Sequence, residues 1–179
     1  VVSMPCWELF ADQPAAYQAE VLGGDLLTRR EYEVQPGGTI DKIDPINERI
    51  YGSINNGVYK TGFATTQEAY DEAVTALFDS LDWVEDVLSK NKYLTGDTLT
   101  EADWRLFTTL VRFDPVYVGH FKCNIRRIAN YPNISRLVDE LRTIPGVEET
   151  IDMEHIKVHY YWSHTSINPH RIVPAGPAL

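Results

Sequence analysis

The feature that most constrains the fold is a long run of apolar residues with helical spacing in the middle of the chain. Residues three or four positions apart share one face of an α-helix, and the apolar side chains recur at such steps at Tyr70, Val74, Leu77, Leu81, Val84 and Leu88. A Thr-x-x-Glu capping box, formed by Thr65 and Glu68, precedes the run. The sequence therefore predicts an amphipathic helix that starts at the capping box, ends near Ser89 and leads into a turn at residues 91–96.

A second helix is predicted upstream of this central one. Asp44 can cap a helix, and Pro45 suits the first helical position, where its missing N–H costs nothing. An apolar stripe with helical spacing accompanies this start, at Ile43, Ile46, Ile50 and Ile54. The run Asn55-Asn56-Gly57 predicts that the helix ends there on a left-handed residue.

Further helices are predicted downstream. Thr100 and Asp103 form a second capping box, ahead of a helix whose buried face continues to Pro115. Asp103 also places negative charge at the positive end of that helix. Apolar periodicity predicts two more helices, at residues 133–143 and 147–159. The expected fold is an all-α bundle without a βαβ repeat.

Prolines and glycines divide the chain into three predicted segments. Residues 1–38 hold three prolines and four glycines, which predicts an irregular segment with a short helix at residues 13–22. Residues 39–162 form the predicted helical domain. Residues 163–179 contain three prolines, so we expect an extended tail that lies on the surface.

Charge and cysteine content narrow the function classes. Sixteen basic and 26 acidic residues give a formal net charge of −10, which argues against nucleic acid or an anionic membrane as the main partner. The sequence shows neither an apolar stretch long enough for a membrane span nor a signal peptide. Cys6 and Cys123 lie outside any CxxC pair, so we expect packed thiols and a reducing, cytoplasmic location.

Several longer runs of residues resemble one known family. They are spread across residues 40–177, and they are Asn55–Ala64, Tyr93–Asp97, Arg105–Tyr117, Gly119–Asn124, Tyr131–Asn133, Ile144–Val147, His155–Tyr161, Ile167–Pro169 and Val173–Pro177. Together with the capping element Thr100–Asp103, they resemble the C-terminal helical domain of the glutathionyl-hydroquinone reductases, the Xi class of glutathione transferases. The resemblance implies a glutathione-transferase C-terminal-like helical bundle that forms a homodimer.

The resemblance also implies a second domain that we do not find in this sequence. Family members carry a thioredoxin-like domain with a Cys-Pro-Trp motif, whose thiolate attacks the glutathionyl sulfur. In this chain Pro5 precedes Cys6 rather than following it, and residues 1–38 leave no room for the intervening sheet. We therefore do not assign the catalytic role to Cys6 and expect no complete thioredoxin-like domain. Glutathione is the expected cofactor if that domain is supplied; otherwise we expect none.

Two tyrosines are the candidate catalytic residues. Tyr59 and Tyr160 match tyrosines that line the aromatic-substrate pocket of the family, and they can bind and polarise a quinone or hydroquinone oxygen. A phenol is a neutral donor at pH 7 and can act as a general acid or base if its pKa is lowered. Tyr161 and His159 are the further candidates for substrate binding. The alternative is that both Tyr59 and Tyr160 only pack in the core.

The histidines suggest other chemistry less well. His155 and His159 have helical spacing, with His164 nearby, and such a set can bind zinc. No glutamate completes a His-Glu-x-x-His motif, and the family has no metal there, so we expect no metal site. His120 is interpreted as a core histidine with a satisfied hydrogen bond. Glu85 is interpreted as surface charge.

Three functions remain open at this stage. In the first, the chain is the substrate-binding half of a glutathione-dependent reductase that acts on glutathionyl-hydroquinones or related aromatic and quinone compounds. In the second, Tyr59, Tyr160 and His159 carry out cofactor-free isomerisation, cyclisation or dehydration of a phenolic or quinone-like metabolite. In the third, the bundle is a non-catalytic binding or dimerisation module.

Overall fold

The computed structural model describes residues 40–177, with the side chains described from residue 42 onward. The short helix predicted at residues 13–22 and the thiol of Cys6 lie outside the described residues. No β-strand is present between residues 40 and 177, so the all-α prediction is confirmed there. The helices are α1 (Ile40–Ile50), α2 (Gly57–Gly62), α3 (Gln67–Lys90), α4 (Glu101–Arg112), α5 (Val118–His120), α6 (Pro132–Arg142) and α7 (Met153–Ser163).

Four shorter turns join these helices. A π-helical turn, Tyr51–Asn55, links α1 to α2, and a second, Phe113–Tyr117, links α4 to α5. Turns of 3-10 helix, Ile128–Asn130 and Glu148–Thr150, precede α6 and α7. None of the helices found between residues 40 and 177 combines the length and apolarity that a membrane crossing requires.

The central helix α3 confirms the predicted apolar stripe and moves its start by one residue. Val74, Leu77, Leu81, Val84 and Leu88 are all buried in the core. The hydroxyl of Thr66, not that of Thr65, accepts the N–H of Ala69 at 3.2 Å. An N-cap side chain must lie just before the first helical residue, and α3 begins at Gln67. The predicted capping box at Thr65 and Glu68 is therefore wrong.

The N-terminal end of α4 carries a fully buried carboxylate. Asp103 is 0% exposed and accepts hydrogen bonds from the N–H of Leu94 and the N–H of Thr100, each at 2.9 Å. The Thr100 hydroxyl also donates to it at 3.2 Å. The predicted capping box is present. The bond to Leu94 ties the turn after α3 to the start of α4, so this carboxylate joins two elements as well as capping one.

Upstream of α3 the predicted helix boundaries are wrong. Pro45 lies inside α1, which begins at Ile40, rather than at its first position. Gly57 is not left-handed; it starts α2 and lies buried against α3. A Cβ at Gly57 would stand 3.5 Å from Cδ1 of Leu77. This is an ordinary contact distance, so Gly57 lies inside the packing of α2 on α3 rather than at a helix end.

Glu85 is not simple surface charge. Its carboxylate accepts the N–H groups of Asn133 and Ile134 and the side-chain amide of Asn133, at 2.7–3.0 Å for the shortest contacts. These N–H groups belong to the first turn of α6, where no helical partner exists for them. Glu85 on α3 thus caps α6 across the bundle, which explains the buried packing of Ile134 and Leu137 against the same core.

The region predicted as one helix at residues 147–159 forms two helical segments. The helix expected at residues 147–159 separates into the turn Glu148–Thr150 and α7. Asp152 makes the separation, because its side chain accepts the N–H of His155 at 2.8 Å and caps α7. Beyond α7, Lys157 donates to the carbonyls of Ala175 and Gly176, which ties the final described residues back to this helix.

Candidate active site

Three tyrosines from three elements meet at their hydroxyl groups. Tyr59 comes from α2, Tyr117 from the π-helical turn after α4, and Tyr160 from α7. The Tyr160 hydroxyl lies 2.8 Å from that of Tyr59 and 2.9 Å from that of Tyr117. Two of these three, Tyr59 and Tyr160, are the candidate catalytic residues from the sequence. We call Tyr59, Tyr117 and Tyr160 the phenol triad.

Burial keeps Tyr59 and Tyr117 neutral. It raises the pKa of Tyr59 well above its ordinary value, and the neighbouring Tyr160 raises it further. Tyr117 is 2% exposed, and burial, followed by Tyr160 and Tyr59, raises its pKa in the same direction. The positive charge of Arg112 opposes both shifts without reversing them. Tyr59 and Tyr117 are therefore hydrogen-bond donors at neutral pH rather than bases.

The triad has one proton more than its internal bonds need. Three hydroxyls carry three protons, and the two bonds among them use two. Within residues 40–177 these hydroxyls form no other hydrogen bond. One O–H therefore remains for an outside acceptor. Tyr59 is only partly buried, so the phenol triad is nearest to solvent at Tyr59.

The ring of Phe121 packs against all three tyrosines of the phenol triad. It is fully buried, stacks on Tyr117 with a 5.4 Å centroid separation, and contacts Tyr59 and Tyr160 at 5.3 and 6.1 Å. The backbone of Gly62 fits under this ring so closely that a Cβ there would lie 2.2 Å from Cδ1 of Phe121. Only a glycine permits this approach.

The remaining aromatic side chains complete one continuous group. Phe63 and His164 contact Phe121 at 5.4 and 5.6 Å, and His120 stacks on His164 at 5.2 Å. We call the group the aromatic cluster; its members are Tyr59, Phe63, Tyr117, His120, Phe121, Tyr160 and His164. Phe63 is 41% exposed, so it forms the rim of the cluster.

The two predicted substrate-binding residues lie at the edges of this cluster. Tyr161 is buried against the His120 ring at 4.4 Å and does not join the phenol triad. His159 is exposed and meets the Tyr160 ring edge-on at 5.6 Å. Of the four predicted site residues, the structure therefore joins Tyr59 and Tyr160 directly and places the other two beside them.

The histidines are distributed differently from a metal site. His155 and His159 are both exposed, whereas His164 is bonded to His120 through Nδ1 and Nε2 at 3.0 Å. In the part of the chain that the structure describes, no three His, Cys, Asp or Glu side chains are grouped to hold a metal ion. The prediction that His120 is a core histidine with a hydrogen bond is confirmed.

Cys123 is a packed thiol, as predicted. It is 0% exposed, with Sγ 3.9 Å from the carbonyl of Val58, and burial raises its pKa to about 12. A protonated thiol is a poor nucleophile. Cys123 is therefore a structural residue that packs against α2.

Several members of the aromatic cluster were not found from the sequence. Tyr117, Phe121 and His164 all lie in or beside quoted family runs. The local signals are the four-residue separations of Tyr117 from Phe121 and of Tyr160 from His164, one helical turn each. His164 enters the cluster because α7 ends at Ser163. Its partner His120 lies 44 positions earlier, so no short-range pattern links them.

Comparisons with known proteins agree on the family. The family described as "Glutathione S-transferase, C-terminal domain" matches residues 67–140. Glutathionyl-hydroquinone reductase PcpF from Sphingobium chlorophenolicum is 62% identical over 137 residues, which are 76% of this chain and 44% of that protein. Glutathionyl-hydroquinone reductase YqjG from Escherichia coli K12 is 51% identical over 153 residues, covering 86% and 47%.

Solved structures share the fold. The glutathione-bound structure of YqjG superposes with a TM-score of 0.79 at 52% identity and covers 83% of this chain and 48% of that one. Glutathione transferase Xi from Phanerochaete chrysosporium gives 0.76 at 57% identity, covering 79% and 48%. The chain thus spans about half the length of the curated relatives it matches. Its helical region is therefore a C-terminal domain of the glutathione transferase family, of the type found in the Xi class and in glutathionyl-hydroquinone reductases.

Proposed function

We propose that this chain provides the aromatic-substrate side of a glutathione-dependent reductase that acts on glutathionyl-hydroquinones or related quinone compounds. The observation that carries the proposal is the phenol triad, with its single unused O–H at one edge of an aromatic cluster. Glutathionyl-hydroquinone reductases among the relatives support the reaction class. The glutathione-bound relative supports glutathione as cosubstrate.

The triad suits this substrate class chemically. A flat aromatic ring packs well against Phe63 and Tyr59 at the rim, while the free phenol proton is donated to a ring oxygen. When the carbon–sulfur bond of the substrate breaks, negative charge develops on the ring and its oxygens. Donors fixed in advance stabilise such charge more than water does. Arg112 adds positive charge near the same hydroxyls.

The raised pKa of Tyr59 disfavours one of the alternatives. Cofactor-free isomerisation with Tyr59 as the base requires a phenolate near neutral pH, whereas burial moves its pKa in the opposite direction. A neutral phenol still donates a proton or a hydrogen bond. The phenols therefore support a reductase in which they stabilise charge and another group supplies the nucleophile.

The test is turnover of an S-glutathionyl-benzohydroquinone by the protein as its own cells produce it, with glutathione present. Free hydroquinone and glutathione disulfide are measured by chromatography. Tyr160→Phe removes the hydroxyl that bonds both other phenols, and we expect kcat/KM to fall by about 100-fold, as for loss of an oxyanion donor. Tyr93→Phe is the matched control, because its hydroxyl bonds Glu140 away from the cluster, and we expect unchanged turnover.

Three results would contradict the proposal. Equal losses in Tyr160→Phe and Tyr93→Phe would mean that the effect is general destabilisation rather than loss of a donor. Turnover of a phenolic substrate that is independent of glutathione but lost in Tyr160→Phe would replace the reductase with cofactor-free chemistry. Absence of both turnover and hydroquinone binding would leave a non-catalytic module.

A further inference from the structure

A pair of stacked histidines forms one side of the aromatic cluster. His120 ends α5 and His164 follows α7, and their rings lie nearly parallel at 17° with centroids 5.2 Å apart. Nε2 of His120 and Nδ1 of His164 are 3.0 Å apart, so they share one hydrogen bond. The His164 ring also meets the rings of Phe63 at 5.1 Å and Tyr160 at 5.6 Å. His164 is therefore part of the same surface that contains the phenol triad.

The surroundings of the two rings favour one placement of their protons. Burial lowers the pKa of His120 to about 4 and also lowers that of His164, so both rings are neutral at pH 7 and hold one N–H each. The Tyr160 backbone raises the pKa of His120, which favours a proton on the ring nitrogen that does not face His164. Because Nε2 of His120 faces His164, we place the proton of His120 on Nδ1. Its Nε2 is then an acceptor, and His164 must donate from Nδ1.

This arrangement leaves Nε2 of His164 without a proton. A neutral imidazole with hydrogen on Nδ1 has a lone pair on Nε2. Within residues 40–177 the bond to His120 is the only hydrogen bond of the His164 side chain. The ring is half-buried, which gives a bound molecule access to it. The site thus offers one free donor on the phenol triad and one free acceptor on His164.

We infer that His164, oriented by His120, is the proton acceptor of the aromatic site and takes a proton from a phenolic hydroxyl of the bound substrate. The substrate O–H bond breaks, its electron pair stays on oxygen, and an N–H bond forms at Nε2 to give an imidazolium. No oxidant or reductant is consumed in this step. A hydroquinone fits both features, because one ring oxygen accepts from the triad while another hydroxyl donates to His164. The inference rests on the proposed function for the identity of the substrate.

The groups around His164 set the sign of its pH dependence. His159 and His120 are the titratable imidazoles that face it, and the rings of Tyr160 and Phe63 pack against it. Lys122 lowers the pKa of His120, which is bonded to His164. Protonated His164 has no lone pair to offer. Turnover should therefore fall as pH drops through the pKa of His164, which burial and His159 hold below its ordinary value of 6.5.

A first experiment tests the inference without any variant and without turnover. Two-dimensional proton–nitrogen NMR of the ¹⁵N-histidine-labelled protein at neutral pH distinguishes the two tautomers. We expect His164 to show hydrogen on Nδ1 and an unprotonated Nε2, and we expect the Nε2 resonance to shift when benzohydroquinone is added. A spectrum with hydrogen on Nε2 would make His164 a donor and overturn the inference.

A second experiment uses matched substitutions on and beside α7. His164→Gln keeps an amide that can donate to His120 but cannot take up a proton, and we expect kcat/KM for the glutathionyl-hydroquinone to fall by about 100-fold, with loss of the acidic limb of the pH profile. His155→Gln makes the same change at an exposed position of α7 outside the cluster, and we expect parental kinetics. An unchanged pH profile in His164→Gln would overturn the inference.

The two experiments separate this inference from the proposed function. If the parent protein does not turn over glutathionyl-hydroquinones, the proposed function fails, whereas the tautomer and its response to benzohydroquinone still decide the role of His164. If the parent turns over substrate but His164→Gln behaves as the parent does, the proposed function stands and the role of His164 is refuted.

Discussion

Two regions of the molecule bury polar side chains, the N-terminal end of α4 and the aromatic cluster between α2, α5 and α7. At the end of α4, the Asp103 carboxylate is fully buried and receives three hydrogen bonds, from Leu94 and twice from Thr100. In the aromatic cluster, five polar side chains share three bonds, and one O–H and one imidazole nitrogen remain unused.

The difference separates a structural from a functional use of buried polarity. An unpaired polar group in the interior costs about 1–3 kcal/mol, so a purely structural region pairs every group, as the Asp103 site does. A region that keeps free groups at a partly exposed rim preserves them for a ligand. The substitutions below are expected to destabilise the first region strongly and to alter the second mainly in ligand binding or pH response.

The largest expected effect is at Asp103. Asp103→Ala leaves the N–H groups of Leu94 and Thr100 buried without an acceptor, and we expect the free energy of unfolding to fall by about 3–5 kcal/mol. Asp97→Ala, at an exposed position of the same turn, is expected to stay within about 0.5 kcal/mol of the parent. Urea unfolding followed by circular dichroism measures both. A loss below about 1 kcal/mol in Asp103→Ala would mean that water replaces the carboxylate.

The next effect is on the pH dependence of stability, to which the two regions contribute with opposite signs. Burial raises the pKa of Asp103 from 3.8 to about 6, so its contribution to stability is present at low pH and lost as pH rises through about 6. Burial, with His164 and Lys122, lowers the pKa of His120 from 6.5 to about 4, so its contribution is present above 6.5 and lost as pH falls toward 4. Each amounts to about 3 kcal/mol, and the two oppose each other.

Single substitutions should reveal the pH dependence of stability that each of the two residues contributes. His120→Gln removes the imidazole, so the free energy of unfolding should decrease as pH rises from about 4 to about 6. Asp103→Asn removes the carboxylate, so the same quantity should increase over that range. Paired carboxylates such as Glu140 contribute equally to both variants. Equal slopes in the two urea-unfolding series would refute the assignment of these groups.

A smaller effect compares two buried glycines of α2. Gly62→Ala pushes a methyl group into the ring of Phe121, and we expect a loss of about 2 kcal/mol from overpacking, with weaker binding of benzohydroquinone because Phe121 supports the triad. Gly57→Ala meets Leu77 at ordinary contact distance, 3.5 Å, so we expect unchanged binding and equal or greater stability. Calorimetric titration and urea unfolding give both quantities. Parental binding in Gly62→Ala would show that the ring can move without affecting the triad.

The helices themselves were largely predictable from the sequence. The stripe on α3 and the Thr100–Asp103 capping box depend on residues within a few positions of each other, and both are confirmed. The errors at Pro45 and Gly57 have another origin. Gly57 starts α2 and lies buried against α3, and local propensity does not contain the positions of neighbouring helices.

The candidate site was predictable only where the family resemblance reached. It selected Tyr59 and Tyr160, and the structure brings their hydroxyls together. Their catalytic role stays a prediction. Tyr117 joins them through a bond that spans 43 positions of the chain, and His164 is bonded to His120, 44 positions earlier; no periodicity encodes such distances. The unused proton and lone pair are properties of the assembled hydrogen-bond network, so they follow from the structure alone.

The smallest expected effect is at Glu85, which makes the same kind of hydrogen bonds as Asp103 but is less buried. Glu85 also accepts N–H groups at a helix N-terminus, but it is only half-buried, so water can replace it when it is removed. We expect Glu85→Ala to lower the free energy of unfolding by about 1 kcal/mol, the usual loss for a helix cap. Glu149→Ala, at an exposed position before α7, should change it by less than about 0.5 kcal/mol. Urea unfolding of the two variants beside Asp103→Ala measures how burial scales the same interaction. An equal loss in the free energy of unfolding for Glu85→Ala and Asp103→Ala would show that burial does not determine the strength of this interaction. The link between α3 and α6 would then stabilise the fold more than the exposure of Glu85 indicates.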